Sequence, residues 1–298
     1  MKRLISANTS EILAMDAAEL KQSIRASEGR VVVSENVATR ESYIGDITNA
    51  EIARAFGADL ILLNCVDVLD PHIFGLEHDR DNFVKELHRL VGRPIGVNLE
   101  PVDLAAEMLE DRLEIPKGRQ LNEETAKRLD ELGFDFVCLT GNPGTGVTNE
   151  QIGNAIRLIK QHFSGLVIAG KMHAAGSDEP VADLAVAKSF VEAGADVILV
   201  PAVGTVPGFD AEELKEVVKE VHRLGGLVMS AIGTSQESSD EATIRELAIA
   251  NKICGVDMQH IGDAGYGGVA PVENIYAMSK ALRGIRHTVS MIARSINR

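Results

Sequence analysis

The sequence predicts a single (β/α)8 barrel, a TIM barrel of the α/β class with an extra N-terminal helix, and two patterns indicate it. A Gly-x-Asp tripeptide stands directly before four apolar runs, with spacings of 76, 61 and 61 residues between the glycines Gly57, Gly133, Gly194 and Gly255. Four other apolar runs follow glycines that lack the aspartate, namely Gly29, Gly92, Gly165 and Gly226. Eight short apolar runs that alternate with amphipathic segments predict parallel strands, each followed by a helix, closing into a barrel.

The repeated tripeptide also predicts where helices end and strands begin. Each glycine is expected to end a helix in the left-handed conformation, and the aspartate after it to open the next strand at the bottom of the barrel in a structural role. Capping-box patterns mark two helix starts, Thr148 with Gln151 and Asp210 with Glu213. An open doubly wound sheet is the alternative, but no GxGxxG turn follows the first strand.

One domain is predicted over residues 1–298, with an N-terminal helical extension at 1–28, the barrel at 29–285 and a C-terminal tail at 286–298. The length of 298 residues is ordinary for one such barrel. The extension, helical from about Thr9 to Ser27, is expected to cap the barrel bottom or to pack on a second subunit, and a homo-oligomer is expected. The segment from Val102 to Gln120 is an insertion after strand 3 and a candidate lid.

Composition and charge exclude several classes of partner. The formal net charge is −14, whereas nucleic acids and anionic membranes require a basic surface. Three cysteines, Cys65, Cys138 and Cys254, show no CxxC spacing and are expected to be thiols in a reducing cytosol. There is no secretory leader pattern and no apolar stretch of about 18 residues, so a cytoplasmic protein is expected.

Polar residues at the ends of the predicted strands form the candidate site, because barrel enzymes build their sites there. Lys171 and His173 lie two residues apart after strand 5, and Asn98 and Glu100 after strand 3, so both pairs are expected to point inward. Counting from each Gly-x-Asp places His260 in register with Leu62, Cys138 and Leu199. The predicted catalytic residues are Lys171, His173, Glu100 and His260.

These residue types suit chemistry beside a carbonyl group. Lys171 is expected to act as a Schiff-base nucleophile with a lowered pKa, or as a cation that stabilises an enolate. His173 or Glu100 would move the proton. Side-chain amides would orient the substrate, and the candidates are Asn36, Asn64, Asn98 and Asn142.

Glycine-rich loops follow strands 4, 7 and 8, and their backbone N–H groups are able to converge on an anion. The predicted substrate-binding residues in the last two loops are Gly233, Thr234, Gly262 and Gly265. The alternative is that these glycines only form tight turns. Three such loops on one face favour a small anionic metabolite as partner, and the sequence shows no nucleotide or flavin motif.

The stretch from Gly262 to Gly268, GDAGYGG, resembles part of the D-x-D-x-G-Y-G signature of the phosphoenolpyruvate phosphonomutase and isocitrate lyase superfamily. The whole chain also resembles uncharacterised bacterial barrels labelled phosphonomutase-like. In that superfamily, aspartates of the barrel hold Mg²⁺ against an α-oxo acid, and here only Asp263 matches, since Ile261 stands in the place of the first aspartate and no K-C-G-H loop is present. The resemblance implies Asp263 as a Mg²⁺-side residue, and Glu35 and Glu100 are further oxygen ligands of the type that this ion prefers.

The acidic loop after strand 2 is a second place where carboxylates and histidines gather. Its irregular spacing indicates a solvated loop rather than a metal site, and its members are Asp67, Asp70, His72, His78 and Asp79. The favoured function is an enzyme of lyase, aldolase, mutase or isomerase type that acts beside a carbonyl in a small phosphorylated or carboxylated metabolite. The alternative is a non-catalytic sensor or regulatory barrel that binds a sugar phosphate.

Overall fold

The computed structural model describes residues 1–77, 80–108, 111–174, 176 and 179–298. Eight parallel strands close into a barrel in chain order, and the last strand pairs with the first. The strands are β1 (Val31–Val37), β2 (Leu60–Asn64), β3 (Ile95–Leu99), β4 (Phe136–Leu139), β5 (Leu166–Gly170), β6 (Val197–Pro201), β7 (Leu227–Ile232) and β8 (Met258–Ile261). The predicted TIM barrel is confirmed, and the open doubly wound sheet is wrong.

Helices connect the strands and surround the barrel. They are α1 (Thr9–Ile12), α2 (Ala17–Arg25), α3 (Asn49–Phe56), α4 (Phe83–Val91), α5 (Glu123–Leu132), α6 (Asn149–Ile159), α7 (Leu184–Ala193), α8 (Ala211–Arg223), α9 (Glu241–Ile253) and α10 (Val272–Ala293). Short 3-10 turns occur at Leu4–Ser6, Lys117–Arg119, Gln236–Ser238 and Tyr266–Gly268. Within the described ranges, no helix is both long and apolar enough to cross a bilayer.

The capping patterns match the helix starts. The Asp210 side chain accepts from the backbone N–H of Glu213 at 3.0 Å, and the Glu213 carboxylate accepts from the Asp210 N–H at 2.9 Å. Thr148 accepts from the N–H of Gln151 at 3.3 Å. These bonds satisfy N–H groups that the first helical turn leaves without partners.

The Gly-x-Asp aspartates form a repeated contact at the barrel bottom. The N–H of Asp59 donates to Val32 O at 2.8 Å, and its carboxylate accepts from Val32 N at 2.9 Å. Equivalent pairs of bonds join Asp135 to Ile95, Asp196 to Val167 and Asp257 to Val228. Each carboxylate also contacts a basic side chain. For Asp59, Asp135, Asp196 and Asp257 in turn, these partners are Arg283, His88, Lys160 and His222. The contacts support a structural role for all four aspartates.

The barrel interior is apolar and is covered from below by the N-terminal extension. Alternate strand residues fill it, among them Leu62, Cys138 and Leu199. The extension adds Leu4, Ala7, Ile12, Leu20 and Ile24 to the same buried cluster. Of the two placements predicted for the extension, the structure shows the cap on the barrel bottom, whereas a homo-oligomer stays a prediction.

The predicted C-terminal tail, 286–298, begins inside α10 rather than after it. The helix changes direction at Gly284, whose φ of 68° is left-handed, and then continues to Ala293. The last residues pack on the N-terminal extension, since Arg294 donates to Asn8 Oδ1 at 2.6 Å and Arg298 O accepts from Ser10 N at 2.8 Å.

Candidate functional site

A cavity of about 130 Å³ lies at the carboxyl ends of the strands. Nine of the residues predicted for the site line it, and they are Glu35, Asn64, Asn98, Asn142, His173, Gly233, Thr234, Gly262 and Asp263. The other described residues of its wall are Thr140, Gly141, Pro143, Met172, Ser235, Glu237 and Ala264. The cavity therefore collects residues from loops that are far apart in the chain.

A buried carboxylate with two partners lies at the base of the cavity. Asn98 Nδ2 donates to Glu35 Oε1, and His260 Nε2 lies 3.0 Å from Glu35 Oε2. His260 is fully buried and pairs across β1 and β8 with the interior residue Val33, so it faces the barrel interior, as Leu62, Cys138 and Leu199 do. It does not line the cavity, and it contacts the site through Glu35.

A chain of polar contacts crosses the barrel mouth above that carboxylate. Asn64 Nδ2 donates to Asp263 Oδ2 and to Asn142 Oδ1, both at 2.9 Å. Asn142 Nδ2 donates in turn to Glu100 Oε1 at 2.9 Å, and Arg119 Nη2 donates to the same oxygen at 2.8 Å. This network fixes the orientation of the side-chain amides, because each amide nitrogen faces an acceptor.

Asp263 has the altered proton affinity expected of an acid–base group. Burial, together with the negative charge of nearby Glu35, raises the pKa of its carboxyl to about 7. The hydrogen bond from Asn64 and the proximity of His260 act in the opposite direction. At neutral pH this carboxyl is thus divided between its acid and its carboxylate form.

Glu237 is a second carboxyl of the wall, and sequence reasoning missed it. It lies in the 3-10 turn Gln236–Ser238, is buried, and accepts from Ala264 N at 3.0 Å. Burial raises the pKa of its carboxyl. Its place only five residues after the end of β7, in a loop of the barrel top, was the signal that could have found it.

Three buried polar atoms in the wall have no hydrogen-bond partner among the described residues. They are Asn98 Oδ1, Thr140 Oγ1 and Glu237 Oε2. A buried polar group without a partner is costly. Such atoms in a cavity wall are therefore candidates for contact with a ligand.

Lys171 does not line the cavity. The expectation that Lys171 and His173 both point inward is therefore wrong for Lys171. β5 ends at Gly170, whose φ of 150° redirects the chain and places Met172 and His173 in the wall. Lys171 is only 1% exposed and donates to Glu179 Oε2 at 2.8 Å. Burial lowers the pKa of Lys171, while Glu179 opposes that shift.

His173 is the predicted catalytic residue that the structure places in the wall. Burial is the main cause that lowers the pKa of its imidazole, and Lys171 adds to this, whereas Glu35 and Glu100 raise it. The net direction is downward. His173 is therefore mostly a neutral imidazole at pH 7.

Three other predicted residues lie outside the cavity wall. Asn36 has the parity of Val32 and faces the helices, where its Nδ2 donates to Ser34 O at 3.2 Å. Glu100 is buried behind Asn142, with its oxygens bound by that residue and by Arg119. Gly265 lies in a tight turn, where a side chain would meet Val269 O at 1.9 Å.

The predicted Mg²⁺ ligands do not fit that ion. Both oxygens of Glu35 and both oxygens of Glu100 already accept protein hydrogen bonds, and Glu100 is paired with a cation, Arg119. Among the described residues, no three His, Cys, Asp or Glu side chains are grouped so that they could hold a metal ion. His78 and Asp79 of the acidic loop lie outside the described residues.

The loop after β7 contains the strained part of the wall. Thr234 and Ser235 have φ values of 58° and 71°, which are unfavourable for residues with a side chain. In the described structure their N–H groups donate to no protein acceptor.

The candidate lid does not line the cavity. Its described part, residues 102–108 and 111–120, packs on the loop after β4.

Solved structures with a similar fold include enzymes of several kinds. An archaeal fructose 1,6-bisphosphate aldolase superposes with a TM-score of 0.55 at 14% identity, covering 92% of this chain and 98% of the aldolase. A 2,3-dimethylmalate lyase, described as a PEP mutase/isocitrate lyase superfamily member, gives 0.52 at 14% identity, with 84% and 82% covered. The carboxyl transferase domain of Rhizobium etli pyruvate carboxylase, with pyruvate, gives 0.54 at 13% identity, with 96% and 53% covered.

At such low identity these likenesses show the fold alone, and a PEP mutase/isocitrate lyase superfamily member is among the structures that share it. No curated protein matches the sequence. Residues 5–298 match a family described as a domain of unknown function, DUF7916. Since the match spans nearly the whole chain, the protein belongs to the DUF7916 family.

Proposed function

We propose that the protein is an enzyme that transfers a proton beside the carbonyl group of a small metabolite, in a reaction of the lyase, aldolase, mutase or isomerase type. The observation that carries the proposal is Asp263, a carboxyl in the barrel-mouth cavity with a pKa of about 7. A general base or acid works best when its pKa lies near the working pH. The lyase and aldolase among the similar folds support the reaction class by analogy of architecture.

Asp263 would act as the base and His173 as the hydrogen-bond donor. The Asp263 carboxylate takes a proton from the carbon next to the carbonyl, and the electron pair moves to the carbonyl oxygen to form an enolate. The neutral imidazole of His173 donates a hydrogen bond to that oxygen. In an isomerisation, Asp263, now protonated, returns the proton to a different carbon. In a lyase reaction the enolate re-forms the carbonyl and a carbon–carbon double bond, a group leaves the neighbouring carbon with the electron pair of its bond, and Asp263 protonates that leaving group.

The other polar groups of the mouth hold Asp263 in place. Asn64 donates to its Oδ2, and burial together with the charge of Glu35 raises its pKa. His260 and Asn98 fix Glu35 from two sides. Lys171 has no part as a Schiff-base nucleophile in this proposal, because its ammonium pairs with Glu179 outside the cavity wall.

The predicted anionic group of the substrate has a different place in this proposal. The described wall contains no lysine or arginine, so a phosphate or carboxylate would bind at the rim, beside the N–H groups of Thr234 and Ser235. At the rim, the anionic group would be farther from the carboxyl groups of the cavity wall, which would repel it.

A non-catalytic binding barrel is the second candidate. It is favoured by the engagement of two predicted catalytic residues, Lys171 and Glu100, in ion pairs with Glu179 and Arg119. Such a protein would keep the cavity and bind a ligand without turnover.

Hydrogen exchange in heavy water tests the proposal without knowledge of the full reaction. Dihydroxyacetone, its phosphate ester and pyruvate are incubated with the protein in D2O, and loss of the C–H signals beside the carbonyl is followed by proton NMR. We expect exchange with at least one compound, and a rate about 100-fold lower in Asp263→Asn. Asp70→Asn is the matched control, because Asp70 is a surface residue that pairs with Arg80.

Two outcomes contradict the proposal. Unchanged exchange in Asp263→Asn would remove Asp263 from the reaction. A compound that raises the melting temperature but shows no exchange would favour the non-catalytic barrel.

A further inference from the structure

We infer that the cavity itself binds the uncharged, hydroxyl-bearing end of a small hydroxy-aldehyde or hydroxy-ketone, and not a carboxylate or a phosphate. This inference rests on the proposed function for the presence of a carbonyl group. It concerns the substrate class, and it comes from the charge, the hydrogen-bonding atoms and the size of the cavity.

The charge of the wall disfavours an anion. Three carboxyl groups line it, from Glu35, Glu237 and Asp263, and the basic residue in its described part is His173. That imidazole is mostly uncharged at neutral pH, because burial lowers its pKa. With little water in a small cavity, repulsion between like charges is screened much less than at the surface.

Two of the wall atoms that lack a partner in the described structure, Asn98 Oδ1 and Glu237 Oε2, are acceptors and would bind hydrogen-bond donors of a ligand. Asn98, a residue of the wall, points its amide nitrogen at Glu35, and its Oδ1 is a buried acceptor without a partner among the described residues. Glu237 has one oxygen bound to Ala264 N and leaves Oε2 without a partner among the described residues. A phosphate dianion or a carboxylate has only acceptors, whereas a hydroxyl group donates to such oxygens.

Thr140 supplies the complementary atom. Its side chain is buried, and Oγ1 has no partner in the described structure. A threonine hydroxyl both donates and accepts, so it suits another hydroxyl or a carbonyl oxygen. The wall therefore pairs two acceptors with one dual group, which matches a carbonyl flanked by hydroxyls.

The size restricts the ligand further. The cavity has a volume of about 130 Å³. Pockets for drug-sized ligands are several times larger. A three-carbon hydroxy-ketone suits such a space.

Dihydroxyacetone and hydroxypyruvate form a matched pair of probes, because they differ in one hydroxymethyl group replaced by a carboxylate. Binding of each is measured at pH 8 by ligand-observed NMR titration, with inorganic phosphate as a bare anion. We expect dihydroxyacetone to bind at least tenfold more tightly than hydroxypyruvate, and phosphate not to compete with it. Glu237→Gln should narrow the difference, since it removes a negative charge from the wall.

Thr140→Val tests the assignment of a single atom, because it removes the hydroxyl and keeps the shape. We expect it to weaken dihydroxyacetone binding severalfold with little change in the melting temperature, and Glu124→Gln, an exposed control on α5, to change nothing. Tighter binding of hydroxypyruvate, displacement of dihydroxyacetone by phosphate, or no binding of dihydroxyacetone would overturn the inference. The proposed function would survive either result if another carbonyl compound still exchanged its protons through Asp263.

Discussion

The raised pKa of Asp263 has two opposite consequences. It suits the carboxyl to proton transfer, and it lowers the free energy of unfolding at neutral and higher pH. In the folded protein its carboxyl keeps the proton up to a pKa of about 7, whereas an unfolded aspartate loses it near a pKa of about 3.9. Between these two values the folded state binds more protons, so the free energy of unfolding falls as pH rises. Above pH 7 the protein carries the full penalty of a buried carboxylate beside Glu35.

Asp263→Asn should therefore stabilise the protein while removing its activity. We expect the gain to be on the order of 4 kcal/mol at pH 8 and to shrink to about 0.5 kcal/mol at pH 4, where the folded wild type is protonated and the unfolded chain about half protonated. Thermal unfolding of the two proteins across pH 4–8 measures it. A difference in melting temperature that stays constant across that range, or a variant that is less stable throughout, would show that Asp263 carries an ordinary pKa.

At this scale the sequence predicted most of the cavity wall but not all of its chemistry. Nine predicted residues line it, because polar residues that interrupt apolar strand ends must collect at the barrel mouth. Lys171 was misplaced since the alternation of a strand stops where the strand stops, at Gly170. Glu237 was missed because a 3-10 turn brings it back over the mouth, and no period in the sequence encodes that return.

At the scale of elements, the Gly-x-Asp repeat ties strands together in pairs. Each aspartate bonds twice to the backbone of the preceding strand, and the four differ in the basic partner. Asp59 pairs with Arg283, whose side chain is fully buried, whereas Asp196 pairs with Lys21 and Lys160 at the surface. The same backbone contact therefore occurs once beside a buried guanidinium and once beside partly exposed lysines.

Removal of these aspartates should have unequal effects. Asp59→Ala leaves the buried guanidinium of Arg283 without its carboxylate, and we expect a loss of about 3–5 kcal/mol. Asp196→Ala leaves lysines that reach water, and we expect about 1 kcal/mol. Urea unfolding of both variants beside the wild type makes the comparison, and equal losses would mean that the shared backbone bonds dominate.

At the scale of the whole molecule, spacing predicted the barrel but left the role of the N-terminal extension open. Eight apolar runs alternate with amphipathic segments. Because short apolar runs without alternation are typical of strands covered on both faces, they predict a parallel barrel of eight strands. Nothing in a single chain distinguishes a helix that closes its own barrel from one that packs on a second copy, since both bury the same apolar face. The structure shows that Leu20 and Ile24 join the interior cluster at the bottom.

The extension should therefore be required for a stable barrel. Ile24 is fully buried against the interior, so Ile24→Ala is expected to cost about 2–5 kcal/mol. A chain shortened to residues 29–298 would expose the lower end of the interior cluster to water, and we expect it to bind the dye ANS and to lose cooperative thermal unfolding. The surface substitution Glu124→Gln serves as the control for Ile24→Ala. Cooperative unfolding of the shortened chain near the wild-type temperature would mean that the barrel closes without its cap, and the extension would then have to act elsewhere.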